Sequence, residues 1–248
     1  RTIALDAGIW QVHIEASMPP SRAITARARD ADLLHALRAA TDHLLTTLGR
    51  TPPSDTDAGT PDVAALVQRV RAALLADDPA TARDLIDNAP APLRADTELR
   101  FLRAQTDARA GRFSAADDAF TALLATLGAA DNPRLRMRVL SARGMARVRG
   151  GRIAEARQDF DTALSTPNAD LWPVEFGLAS NGRGIANVIL HAFDTAAEDF
   201  GTARVQMERS GDVLGVARVD TNLGLLEYER GALAQAQSHR DRAVRRFE

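Results

Sequence analysis

The side chains best suited to acid–base, metal or nucleophilic chemistry are few in this sequence and stand apart. Its five histidines form no H-E-x-x-H motif and no pair four residues apart, the spacing that places two imidazoles on one helix face. Cysteine is absent, which excludes thiolate nucleophiles, disulfides and zinc–thiolate sites. No G-x-S-x-G elbow or glycine-rich phosphate loop occurs. The sequence therefore predicts no catalytic site, no metal site and no cofactor.

Arginine is the one chemically active residue type in abundance. All 31 basic side chains are arginine, so no Schiff-base lysine or phosphate-loop lysine exists in the chain. Eight arginines and a single acid, Glu155, fall between Arg134 and Arg157. Two interpretations are open: a solvated face of two surface helices, or a contact strip for anions, since guanidinium forks bind carboxylate or phosphate bidentately. The pI near 6.3 and the lack of aromatic residues between the arginines disfavour nucleic acid.

The elements that would position these arginines repeat every forty residues. Phe120, Phe160 and Phe200 stand at this step, although the chain has only eight phenylalanines in 248 residues. Glycine keeps the same step at Gly144, Gly184 and Gly224. A fixed period of this length indicates stacked repeats, in which each unit buries its apolar face against its neighbours. The alanine-rich composition with 4% aromatic residues favours closely packed helices over a β-sandwich.

The segments between turn signals divide the chain into a short N-terminal part and a repeat domain. Residues 1–50 form the N-terminal segment, in which the alternating apolar residues of 1–16 leave a hairpin and a helix equally open, with a helix predicted from 21. The proline- and glycine-rich residues 51–61 are a predicted linker. His191 stands at a turn where other repeats have glycine, which favours a turn residue over a ligand. Helix pairs are predicted over residues 62–248, near 62–92, 95–127, 134–166, 174–209 and 213–247.

The repeats resemble tetratricopeptide repeats, whose pattern combines Leu-Gly, an aromatic residue, alanine, a second aromatic residue and alanine. The resemblance covers residues 62–248 and implies an all-α fold: a right-handed superhelical solenoid of antiparallel helix pairs, preceded by the helical or hairpin segment. The forty-residue period resembles the long variety found in bacterial signalling regulators and in CHAT-type multidomain proteins. Arg103, Arg143 and Arg183 depart from the pattern, because leucine is usual there. The residues that carry the pattern best are Leu140, Gly144, Gly151, Ala156, Phe160, Ala163 and Pro167 in one repeat, and Asn222, Leu223, Gly224, Tyr228, Gly231, Ala236 and Ala243 in the last.

In this family the first helix of each pair lines the concave face, and the resemblance therefore implies which residues meet a partner. Asparagine and threonine there would bond a peptide backbone, arginine would bind carboxylates, and Met145 with its counterparts would seat apolar side chains. The family's lysine–asparagine clamp for chain ends is matched only at Asn222, so binding of a C-terminus is not supported. The implied lining is Glu98, Phe101, Gln105, Arg109, Arg138, Ser141, Met145, Arg149, Asn181, Ile185, Val188, Arg218, Thr221, Asn222, Leu225 and Tyr228.

These features predict a non-catalytic scaffold that binds a protein or peptide segment, acidic if the arginines contact it. The chain begins without methionine, which suggests a module of a longer regulatory or effector protein. The main alternative is a sensory domain in which a bound peptide or metabolite controls a linked output domain such as a protease, a DNA-binding domain or an NTPase. A third hypothesis is an enzyme that uses residues 1–60 against the repeats. No segment has the roughly 18 apolar residues of a membrane span, and we expect a cytoplasmic protein without membrane contact.

Overall fold

The structure is a computed structural model in which the chain divides into two compact units, residues 1–62 and 63–248. The predicted linker 51–61 lies outside the residues that the structure describes. In the described part of the chain, no helix is long and apolar enough to cross a membrane. The described residues are 2–6, 9–18, 22–31, 33–48, 63–128 and 132–247.

The N-terminal unit is an antiparallel three-stranded sheet followed by one helix. Strands β1 (Thr2–Asp6), β2 (Ile9–Met18) and β3 (Arg22–Asp30) pair in sequence order, and α1 (Leu33–Thr47) follows. Of the two alternatives for residues 1–16, the structure has the hairpin. The helix predicted from 21 is wrong over β3, because this segment alternates. Ala26 is buried while its neighbours Thr25 and Arg27 are exposed, which is the two-residue period of a strand.

The second unit is built of antiparallel helix pairs, and the fold is the predicted all-α superhelical solenoid. A four-residue helix, α4 (Ala91–Arg94), lies between the first two pairs. The first helices of the pairs are α2 (Val63–Leu75), α5 (Thr97–Arg109), α7 (Pro133–Arg149), α9 (Pro173–Ile189) and α11 (Val213–Glu229). Their partners are α3 (Pro79–Asp87), α6 (Phe113–Thr126), α8 (Ile153–Leu164), α10 (Phe193–Ser210) and α12 (Leu233–Phe247).

The phenylalanines at the forty-residue step occupy equivalent buried positions, as predicted. Phe120, Phe160 and Phe200 are all fully buried. A methyl group added at Gly144 would lie 2.7 Å from Cζ of Phe160, and one at Gly182 would also meet this ring. Phe160 of α8 is thus held between α7 of its own pair and α9 of the next. The glycines are required because only a bare backbone leaves room for the ring.

The turn inside each pair keeps one backbone geometry. Gly151 has φ of +79° in the left-handed region, and His191, forty residues later, has φ of +58°. Residues other than glycine rarely adopt this conformation. The imidazole of His191 packs edge-on against Phe193, with ring centroids 5.6 Å apart. The interpretation of His191 as a turn residue is confirmed.

Candidate functional site

The first helices of four successive pairs, α5, α7, α9 and α11, line a groove of about 740 Å³. Glu98, Val188, Leu225 and Tyr228 lie outside its lining, although they belong to the same helices. Leu225 and Tyr228 are exposed on α11. Twelve of the sixteen residues placed on the concave face line this groove: Phe101, Gln105, Arg109, Arg138, Ser141, Met145, Arg149, Asn181, Ile185, Arg218, Thr221 and Asn222. Their contact with a partner stays a prediction.

Six further lining residues did not follow from the sequence. Five are apolar, and they extend the groove floor: Ala108, Phe120, Ala142, Ala146 and Leu178. The sixth is Glu175 in the first turn of α9. The residues at the equivalent positions of α7 and α11 are Leu135 and Gly215. An acid in a column of apolar and small residues was the available signal for Glu175.

The part of the groove formed by α9 and α11 carries a pair of amide side chains. Asn222 Nδ2 donates a hydrogen bond of 2.8 Å to Asn181 Oδ1, which joins α11 to α9. An amide side chain has two N–H donors and one carbonyl acceptor. This bond therefore leaves the Nδ2 group of Asn181 and the Oδ1 atom of Asn222 with hydrogen-bonding capacity. Met145 and Ile185 lie beside them in the lining, so the groove offers polar groups next to an apolar floor.

Arg138 is bound within the protein. Its guanidinium donates to both carboxylate oxygens of Glu98, at 3.1 and 2.9 Å, and lies over the Phe101 ring at 4.6 Å from the centroid. Arg71 donates a further bond of 2.7 Å to Glu98. These contacts tie α2, α5 and α7 together at one end of the groove. Arg138 therefore shapes the groove more than it offers a free charge.

Burial acts to raise the pKa of Glu98, but the hydrogen bonds from Arg138 and Arg71 outweigh it and hold the pKa below the usual 4.5. A carboxyl whose pKa is lower in the folded state adds stability above its unfolded pKa, and this stability is lost as the pH falls through the folded pKa. We expect Glu98→Gln to lower the free energy of unfolding at pH 7 by about 1 kcal/mol or less, since the site is partly solvated. Below pH 4.5 the difference from the wild type should shrink.

Denaturant unfolding at pH 7 and at several values from pH 5 to pH 3 checks this expectation. Glu229→Gln is the matched control, because Glu229 is an exposed acid of α11 and should show no change in the same range. A variant of Glu98 that keeps the full acid dependence of the wild type would contradict the assignment.

The eight arginines between Arg134 and Arg157 are only partly solvent-facing: four of them are exposed, Arg134, Arg149, Arg152 and Arg157. Acidic side chains pair with five of them: Arg134, Arg138, Arg143, Arg147 and Arg152. Arg143 Nη2 donates to Asp159 Oδ1 at 2.6 Å, and Arg147 donates to both Asp117 and Asp159, at 2.8 and 3.0 Å. Arg152 also pairs with Asp117. Neither alternative therefore describes the whole run, because five of its charges are paired within the protein, mainly by acids on α5, α6, α8 and α9.

The same pairing explains two of the three arginines that replace the leucine of the repeat pattern, whereas Arg103 pairs with Asp87 and Asp107. Arg143 and Arg183 each bond an aspartate sixteen residues later, Asp159 and Asp199, at 2.6 Å. Both aspartates directly precede a buried phenylalanine of the forty-residue column. In this chain a buried ion pair between the two helices of a pair therefore stands where the pattern has an apolar contact.

Arginines at the rim of the groove differ in the contacts that they make with other residues of the protein. Arg109 Nη1 donates to the Leu74 carbonyl at 3.1 Å, and Arg218 Nη2 lies 3.8 Å from Asp212 Oδ2. Arg149 is exposed at the end of α7 and forms no ion pair with any described residue. Arg149 is therefore the lining arginine most available to an anionic group.

No protein-family model and no curated protein matches this chain. Among solved structures, BtubC from P. vanneervenii is similar with a TM-score of 0.51 and 21% identity, over 73% of this chain and 70% of that one. The apo form of RapI is similar with a TM-score of 0.55 and 10% identity, over 84% of this chain and 59% of that one. MamA gives a TM-score of 0.49 and 15% identity, over 71% of this chain and 93% of that one.

These likenesses concern the fold, because all of them lie below 25% identity. Together with the helix pairs, the likenesses to BtubC and RapI define the fold: a helical repeat solenoid, as the resemblance to tetratricopeptide repeats implies. The chain spans 59% of the length of RapI.

Proposed function

We propose that this chain is a non-catalytic interaction module that binds a protein or peptide segment in the groove of α5, α7, α9 and α11. The observation that carries the proposal is the groove itself, a volume of about 740 Å³ lined by four parallel-stacked first helices. Its apolar floor suits aliphatic side chains, the Asn181–Asn222 pair suits a peptide backbone, and Arg149 suits a carboxylate. A segment that meets all three carries at least one acidic residue.

We extend the proposal to the setting of the module. It belongs to the forty-residue variety of bacterial tetratricopeptide repeats, works in the cytoplasm and forms part of a longer regulatory or effector protein of the kind that includes CHAT-type chains. The period of the Phe and Gly columns supports the first point. The remaining points rest on the resemblance.

A sensory role is the second candidate, and the bonds across the groove favour it. Asn222 bonds Asn181 between the last two pairs, and Arg138 bonds Glu98 between two earlier ones. A ligand that replaces either bond would alter the spacing of successive pairs and so the pitch of the solenoid. A change in the small-angle scattering profile on ligand addition distinguishes this role from a rigid scaffold, whose profile should stay constant.

Peptide selection followed by calorimetry tests the binding function. Peptides are selected from a random twelve-residue library on the 248-residue protein, and the dissociation constants of the enriched peptides are measured by isothermal titration. Asn181→Ala, Asn222→Ala and Arg149→Ala should each weaken binding about fivefold or more, as expected for the loss of one hydrogen bond or charge contact. Arg157→Ala is the control, since Arg157 is an exposed arginine of α8 outside the groove. Unchanged affinity in all three groove variants would contradict the proposal.

A further inference from the structure

The groove wall contains a buried carboxylate that is only half satisfied. Glu175 lines the groove, and 5% of its surface is exposed. Its Oε1 atom accepts a hydrogen bond of 2.8 Å from Arg134 Nε. Its Oε2 atom is buried and has no hydrogen-bond partner among the described residues. Burying an ionised oxygen without a hydrogen-bond donor costs free energy, so a donor for Oε2 is expected.

The position of Glu175 in its helix does not supply the missing donor. Glu175 is the third residue of α9 after the N-cap residue Trp172. At this position a glutamate often accepts from the N–H group of the N-cap residue. Here that N–H group already donates to the carbonyl of Ala169 at 3.0 Å. The positive end of the helix favours the charge of Glu175, but it leaves Oε2 without a hydrogen bond.

A second unsatisfied atom lies in the same wall. Ser141 of α7 lines the groove and is 8% exposed, and its Oγ atom is buried without a partner. Hydroxyl groups in helices commonly donate to the carbonyl four residues earlier. Thr106 and Thr221 do so in α5 and α11, whereas Ser141 does not. The wall formed by α7 and α9 thus holds two buried polar atoms without a hydrogen-bond partner among the described residues.

We propose that this wall is a subsite for a cationic hydrogen-bond donor, the ammonium or guanidinium group of a basic residue in the bound segment, which donates to Oε2 of Glu175. The proposal rests on the proposed binding function and adds a basic residue to the acidic one. The terminal carboxylate torsion of glutamate is broad, so a rotation about it would turn Oε2 toward the groove without a backbone shift. Ser141 Oγ is then available to the backbone of the same segment.

The charges around Glu175 favour a cation. Its partner Arg134 is 58% exposed, while the carboxylate is buried. Solvent screens the charge of the guanidinium more than that of the carboxylate. The electrostatic potential in the groove is therefore negative next to Glu175. Arg138, four residues after Arg134 on α7, is already neutralised by Glu98.

The distance between Arg149 and Glu175 sets the spacing of the charged residues in the bound segment. In the forty-residue register, Arg149 lies level with the end of α9, which begins near Glu175. At 1.5 Å per residue, the two side chains are about 20 Å apart along the helix axes. An extended peptide covers this distance in about six residues. The bound segment therefore carries an acidic and a basic residue about six positions apart.

Selection of the same random twelve-residue library on the wild type and on Glu175→Gln tests the subsite. Peptides enriched on the wild type should share a lysine or arginine at one position, and this preference should vanish on Glu175→Gln while the other preferences remain. One enriched peptide and its analogue with norleucine at the basic position complete a double-mutant cycle. The basic peptide should lose about tenfold or more in affinity on Glu175→Gln, the range for a hydrogen bond to a charged group, and the analogue should bind both proteins equally.

Leu178→Lys provides a second variant that does not remove the buried acid. Leu178 lies one turn after Glu175 in the groove lining and is 36% exposed, so a lysine there brings a resident ammonium within reach of the carboxylate. The basic preference should vanish here as well, and circular dichroism melting checks that each variant is folded. Enriched peptides without a basic position, or a preference that survives both substitutions, would overturn the subsite alone. Failure of the wild type to enrich any peptide would instead overturn the binding function.

Discussion

Replacing Phe160 with alanine is expected to lower the free energy of unfolding of the repeat unit by about 3–5 kcal/mol. The ring is fully buried, and α7 and α9 approach it so closely that a side chain larger than glycine at position 144 or 182 would clash with it. Alanine would leave a cavity at the contact between two successive pairs. Each pair of a solenoid is stabilised mainly by its neighbours. Phe160→Ala therefore removes a contact through which two successive pairs stabilise each other.

Urea unfolding monitored by circular dichroism measures this change, and Leu75→Ala is its control. Leu75 is an apolar residue of α2 that is 86% exposed, so its truncation should change stability by no more than about 0.5 kcal/mol. A Phe160→Ala variant within 1 kcal/mol of the wild type would show that the phenylalanine column does not hold consecutive pairs together.

The repeat unit was predictable because its packing reuses the same residue types at the same step. The ring of Phe160 requires a bare backbone opposite it, and the sequence shows this requirement as glycine at Gly144, which recurs forty residues later. The position of a residue within a first helix then decides whether it meets the groove. The resemblance to tetratricopeptide repeats placed Asn181 and Asn222 there, and they bond each other in the structure.

The parts that escaped prediction depend on contacts between residues far apart in sequence or on short segments. Strand β3 gives a two-residue alternation over only nine residues, which a helical neighbour easily masks. Arg147 donates a hydrogen bond to Asp117, thirty residues earlier on α6. No local sequence pattern predicts such a pair. Glu175 stands out from its column of Leu135 and Gly215 because it carries a charge. Its importance follows from an unpartnered oxygen, which only the three-dimensional arrangement reveals.

Replacing Asp159 with alanine is expected to destabilise the repeat unit by about 3–5 kcal/mol, the cost of leaving a buried charge without its partner. Asp159 is buried and accepts hydrogen bonds from Arg143 and Arg147, whose side chains are themselves largely buried. Without the carboxylate, Arg143 keeps only the hydroxyl of Thr121 and a distant contact with Asp117. Arg143 and Arg147 then share the single charge of Asp117 with Arg152, which also pairs with Glu155.

The double variant Arg143→Leu/Asp159→Ala separates the loss of the ion pair from the loss of packing. Leucine is usual at position 143 in the family that the chain resembles. Arg143→Leu removes the guanidinium left unpaired by Asp159→Ala, and it should recover about half or more of the stability lost in that variant. Urea unfolding of the wild type, both single variants and the double variant gives the coupling energy directly. Additive effects of the two substitutions would mean that Arg143 and Asp159 act independently, and the replacement of the apolar contact by an ion pair would then have no energetic basis.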